Sequence, residues 1–246
     1  MARTSVGSND KLSRGAQQRV KQWLLSPELT EFLKSARETR RRASRVGPHI
    51  TISREAGTNG DAVGRLVGRR MRWDVLGKEL LEFMADRYGV TRGMLELVDE
   101  SRANWVHDIF GQWIDSNVVS HEKYFVYLQR ILWLAGIHGR VVLLGRGGQF
   151  TLPRQNGLAV RIVAPKSFRV ASIARQEGVS VEEARRIMEK ADAGRRDFVM
   201  HYFHRDGTDP QWYDLTINVE RVGIRGAARL IVSAYRSLNA IPESHG

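Results

Sequence analysis

The chain has 246 residues, with 39 lysines and arginines against 27 acids, and it has no cysteine. Without thiols there are no disulfides, thiolate metal sites or cysteine catalysis, and the 7 histidines show no H-E-x-x-H or similar ligand spacing. The net charge of +12 favours anionic partners: nucleotides, nucleic acid or an acidic surface.

No apolar leader opens the chain and no apolar run approaches the roughly 20 residues that span a bilayer, so the sequence predicts a cytoplasmic protein with no membrane partner. Residues 1–47 read as a basic helical extension. Val20, Trp23, Leu24 and Leu25 lead to a break at Ser26-Pro27, where Ser26 can cap a second helix with Pro27 at its first position. Leu29, Phe32 and Leu33 give that helix an apolar stripe, which must pack on the core or on a second subunit, so a homo-oligomer stays open. The run Arg37 to Arg45 is read as a solvated helix face and linker rather than a nucleic-acid arm, because no aromatic residue interleaves its arginines.

Residues 48–246 read as one α/β domain. His49-Ile50-Thr51-Ile52 predicts a buried strand, followed by a turn through Gly57 and Gly60 and then a helix with Val63, Leu66, Val67 and Met71 at helical spacing. Strand, glycine-bearing turn and helix is the arrangement that aims free N–H groups and a positive helix end at phosphate. Laid over the pattern G-x-x-x-x-G-K-[ST], however, the first glycine falls on Arg54, the second on Asn59, the lysine on Gly60 and the hydroxyl on Asp61. By spacing alone, a phosphate loop and a turn that merely packs stand level.

Further along, 73–76 predicts a short second strand and 77–84 a helix carrying Leu80, Leu81, Phe83 and Met84. Thr91 caps another short helix through Val98, and 102–138 is mostly helical. Arg140 to Leu144 is a continuous apolar strand stopping at Gly145, with Arg146-Gly147 at its carboxyl end, where open α/β sheets bind ligands. A strand at 158–164 leads to a helix from Lys166 that carries Arg169 and Arg175. Ser180 and Glu183 form a capping box opening a long helix, on which Lys190, Asp192, Arg195 and Arg196 fall along or beside one face. A strand at 213–218 and a helix at 224–238 complete five strands separated by helices, which predicts a parallel sheet covered on both faces.

Together, 50–60 (ITISREAGTNG), 77–81 (GKELL), 144–148 (LGRGG), 163–170 (VAPKSFRV) and 213–218 (YDLTIN) resemble the cytidylate kinase-like proteins, relatives of bacterial cytidylate kinases, over about residues 49–237. The resemblance implies a P-loop kinase fold with a five-stranded parallel sheet in order 2-3-1-4-5. It implies transfer of the ATP γ-phosphoryl to a nucleoside monophosphate with Mg²⁺, so ATP and Mg²⁺ are the expected cofactors and nucleotides the expected partners. In its light Ser53, Arg54, Glu55, Ala56, Gly57, Thr58, Asn59, Gly60 and Asp61 are the nucleotide-binding loop. Arg54, Arg146, Lys190 and Arg195 are candidate catalytic cations, and Lys78, Arg146, Gly147, Asp192 and Arg196 candidate acceptor-binding residues, with no protein metal site of their own. The family's Gly-Arg-Asp reads Gly145-Arg146-Gly147 here, and Gly77 replaces the aspartate of its Asp-Lys-Glu-Leu stretch. The missing lysine and the basic charge keep a second reading open, a non-catalytic nucleotide- or RNA-binding protein on a kinase fold.

Overall fold

The computed structural model describes residues 46–77 and 121–238. The extension up to Arg45, Lys78, the helices expected at 77–84 and 91–98 and the first part of 102–138 lie outside the described residues. Val46 itself is 1% exposed and its carbonyl accepts from Asn156 Nδ2 at 2.7 Å, so the folded unit reaches at least to this residue.

Five parallel strands form one sheet: β1 His49–Arg54, β2 Asp74–Leu76, β3 Val141–Leu144, β4 Gly157–Val163 and β5 Leu215–Asn218. Their order is β2-β3-β1-β4-β5. Ile50 pairs with Val142 on one side and Leu158 on the other, which places β1 at the centre. Burial on both faces is why β3 reads as an unbroken apolar run and β1 as a β-branched one whose His49 and Thr51 are also buried.

The intervening helices are α1 Gly60–Met71, α2 His121–His138, the single turn α3 Gly148–Thr151, α4 Lys166–Glu177, α5 Val181–Phe203 and α6 Val219–Leu238. One face of the sheet is covered by α1 and α6: Ile50, Ile52, Val142 and Val160 pack with Val63 and Val67 of α1 and Ala227 and Ile231 of α6. Each such buried aliphatic side chain contributes about 1.5–3 kcal/mol relative to exposure. Helix α6 begins earlier than its periodicity suggests, because Gly223 (φ 64°, ψ 170°) interrupts a short first turn, and the predicted helix from Ile224 follows the break. Likewise β5 starts at Leu215 rather than Tyr213. Asp214 already meets β4 through its own amide (2.8 Å to Ala159 O) and its carboxylate (2.7 Å from Ala159 N).

Helices α4 and α5 form a hairpin beside the carboxyl end of the sheet, with Val170, Ile173, Ala184 and Met188 in a cluster that includes Ala56 of the β1–α1 loop. The predicted cap is present: Ser180 Oγ accepts from Glu183 N at 3.2 Å.

Candidate active site

The loop between β1 and α1 is held from three sides. Glu55 N continues the pairing with β4 through Ile162 O (3.1 Å), and Thr58 closes the turn by donating Oγ1–H to Glu55 O at 2.7 Å. Asn59 donates to Ser172 Oγ (3.2 Å) and accepts from Gln176, both on α4. Gly57 (φ 78°) and Asn59 (φ 57°) take the left-handed conformation, so the second reversal falls on Asn59 and not on Gly60. Among the described residues, the amides of Gly57, Asn59, Gly60 and Asp61 have no hydrogen-bond acceptor. They stand at the start of a 12-residue helix, where the dipole and the unspent donors both favour an anion.

Behind the loop runs an ionic network. Arg169, 5% exposed, faces Glu55 at 3.5 Å and donates to Ala56 O at 3.3 Å and to Asp192. Glu55 also meets Arg161 at 3.4 Å and accepts from Ala164 N at 3.3 Å. Asp192 accepts from Ala56 N at 2.9 Å, and Arg195, 3.8 Å from that carboxylate, donates to Arg54 O at 3.1 Å. The two helices of the hairpin therefore grip the loop through buried or half-buried charge, with Arg169 and Asp192 at the centre.

Sequence reasoning placed Arg169 on the helix from Lys166 and Arg161 in a strand, but gave neither a role at the loop. Arg169 had a signal: it lies on the same helical stripe as Val170 and Ile173, and a charge on an apolar stripe must be paired when buried.

Arg54 does not extend into solvent. Its Nε donates to Asp61 Oδ1 at 2.8 Å, and the guanidinium runs beneath Gly145 (φ 75°), where a Cβ would collide with Nη1. Among the described residues, the two terminal nitrogens find no hydrogen-bond acceptor. Burial pushes the Asp61 carboxyl up, but the charge and hydrogen bond of Arg54, with the charges of Arg65 and Arg195, outweigh it and hold the group below its ordinary value.

Arg54 shares a small cleft with Ser53, Arg146 and Gly147 after β3, and with Arg195, Phe198 and Val199 of α5. The cleft measures about 50 Å³, well under the roughly 300–1,000 Å³ of ordinary small-molecule pockets. Thus three of the four predicted catalytic cations converge. The fourth, Lys190, is exposed and lies about 140° around α5 from Arg195 at 100° per residue. Arg196 is also exposed and does not line the cleft. Asp192 is directed at the loop backbone and at Arg169, as described above.

Gly147 (φ 68°) lies against the ring of Phe203, which occupies the place a Cβ would need. No side chain, least of all an aspartate, fits there in this packing. Across Gln149 a larger cleft of about 500 Å³ opens, walled by Phe150, Tyr202, Phe203 and Trp212 and edged by Arg154 and Arg205. Arg205 stands 4.2 Å over the Trp212 ring, and burial raises the Tyr202 hydroxyl to about 12.

The model of the cytidylate kinase-like family matches residues 49–221. The chain belongs to this family. Its sheet order and flanking helices are those of the P-loop kinase fold, and family and fold together support a kinase-type phosphotransfer function. An uncharacterised protein from Eubacterium ventriosum is similar at 21% identity with a TM-score of 0.56, over 77% of this chain and 98% of that one. Two shikimate kinases are more distant. The Acinetobacter baumannii enzyme, solved with shikimate, has 17% identity and a TM-score of 0.47 over 82% and 99% of the chains. The Bacteroides thetaiotaomicron enzyme has 13% and 0.43 over 79% and 99%. At these identities the likeness to the Eubacterium protein concerns the fold, and the shikimate kinases carry no argument about substrate. No curated protein matches the chain. Among the described residues, no helix is long and apolar enough to cross a membrane.

Proposed function

We propose that this cytidylate kinase-like protein transfers the γ-phosphoryl group of ATP, with Mg²⁺, to a nucleoside monophosphate. The observation that carries the reading is the convergence of Arg54, Arg146 and Arg195 on one cleft beside a helix N-terminus with four uncommitted amides. Phosphoryl transfer requires placement and charge neutralisation more than a covalent group, and these parts supply both. The loop amides fit the phosphates of the nucleotide. The terminal nitrogens of Arg54 would substitute for the missing lysine's charge, since a helix end alone contributes only about 0.3–1 kcal/mol toward an anion.

Among the described residues, no group of three or more His, Asp or Glu could hold a metal by itself. Mg²⁺ would then be carried mainly by phosphate oxygens, with Asp61, at the start of α1, as a carboxylate that could join it. When bound, the ion would neutralise charge on the transferring group. Arg146 and Arg195 would clamp the acceptor phosphate, and the aromatic cleft beyond Gln149 has the size and flat walls for its base. Because the inner cleft is so small, α5, which roofs it with Phe198 and Val199, has to shift when phosphate enters.

The second reading, a nucleotide-binding protein without catalysis, is favoured by one feature: Gly60 offers no mobile cation at the loop. The test is ADP formation from ATP and Mg²⁺ against a panel of nucleoside monophosphates and other small acceptors. Acceptor-dependent ADP is expected. Tight nucleotide binding with no ADP from any acceptor would replace the first reading by the second.

A further inference from the structure

We propose that the outer face of α1 and α6 is a docking surface for the phosphate backbone of a double-helical nucleic acid. This face lies over one side of the sheet, and the inference does not depend on phosphotransfer. The two helices pack side by side, sharing the core through Val63, Val67, Ala227 and Ile231. Outward, α1 exposes Arg65, Arg69 and Arg70, its cap residue Arg72 is exposed too, and α6 exposes Arg225, Arg229 and Arg236.

The spacing makes stripes. Residues 65, 69 and 72 share one face of α1, and 225, 229 and 236 share one face of α6, spanning about 16 Å at 1.5 Å per residue. Arg70 stands across from Arg229 and Arg236, and the three line a shallow groove of about 440 Å³ with Ser233 and Ser237. Every arginine that braces the nucleotide loop has a carboxylate partner. These exposed ones form no ion pair with any described residue. The acids on the two helices are Asp61, committed to Arg54, and Glu220, which precedes the break at Gly223. Arg65 also acts on Asp61 through its charge, and the other arginines leave a field of one sign that no described carboxylate pairs with.

Charge complementarity selects a polyanion, and the shape of the patch selects a duplex. Double-stranded nucleic acid carries a charge per about 1.7 Å of axis, so a stripe of this length faces several phosphates at once. Arginine's fork matches phosphate oxygens better than a lysine point charge would. A single strand would need exposed rings to stack on, yet Trp73 and Tyr235 meet each other edge to face at 4.9 Å, with Tyr235 6% exposed. A bilayer would need an apolar seam beside the cations, and of the exposed apolar residues of α6, Leu230 lies about 100° from Arg229 and Leu238 about 160° from Arg236, both off the stripe, while Val222 precedes the break at Gly223.

The experiment measures fluorescence anisotropy of the full chain with labelled RNA and DNA duplexes of about 20 base pairs, between about 50 and 200 mM salt. Unlabelled single strands and phosphatidylserine vesicles serve as competitors. Wild-type binding should weaken linearly in log salt. The Arg229→Glu/Arg236→Glu protein should bind about tenfold or more weakly, with a salt slope shallower by about two. An unchanged thermal midpoint would show that its fold is intact. Should that pair not fold, Arg229→Gln/Arg236→Gln replaces it, with a loss of several-fold expected. Three results overturn the proposal: no duplex binding by the wild type, undiminished binding by the folded double variant, or stronger competition by vesicles or single strands than by duplex. The second result would move the contact to another basic segment, such as 37–45.

Discussion

Around the β1–α1 loop, Arg54, Arg161, Arg169 and Arg195 all face carboxylates, at partly or fully buried positions. On the α1–α6 face, Arg69, Arg70, Arg225 and Arg229 stand in water and form no ion pair with a described residue. The same side chain thus serves two regimes. In the first, desolvation makes each charge depend on its partner, so the pairs fix the loop in one geometry. In the second, hydration already satisfies the charge and neighbouring arginines repel one another. Packing therefore gives no reason for these residues, and a reason has to come from outside the molecule.

The comparison is tested most severely at its extremes. Arg169→Ala should cost about 3 kcal/mol of unfolding free energy by urea titration, because Glu55 and Asp192 lose their central partner while still largely buried. Arg229→Ala in the same titration should stay within about 0.5 kcal/mol of wild type. Equal losses would break the distinction.

Arg54→Ala sharpens it within the site. Asp61, its partner, reaches solvent with 37% of its side chain exposed, so the melting temperature should change little. Turnover should nonetheless fall by about tenfold or more, equivalent to about 1.4 kcal/mol, if the guanidinium replaces the loop lysine. Unchanged turnover would leave Arg54 as a brace only.

The smallest effect is a pH dependence. Because Asp61 is held below its ordinary value, its pairing contributes stability above about pH 4 and loses it as pH falls through the depressed value. Melting curves of wild type and Asp61→Asn should converge as pH is lowered through that window. A separation that stays constant with pH would show that no titrating pair is involved.

Much of the fold was legible in the chain itself. The β-branched run at 49–52 and the unbroken apolar run at 141–144 read as buried strands because both their faces are buried. Ser180 and Glu183 marked a helix start because orphan amides there need a local acceptor. Such features rest on neighbours a few residues away, and the chain spells them out. The positions of Arg54 and Arg146 at strand carboxyl ends were also legible, and both line the inner cleft.

What the sequence could not settle depends on residues far apart along it. Glu55 meets Arg161, and Ala56 meets Asp192, across more than 100 positions, so nothing local distinguishes those charges from surface ones. Helical spacing left Lys190 and Arg195 loosely together, and only the docking of α5 on the loop decided that Arg195 faces the cleft and Lys190 faces water. Gly147 read as a lost aspartate. The ring of Phe203, 56 residues away by 203 minus 147, gives the physical reason that only glycine fits.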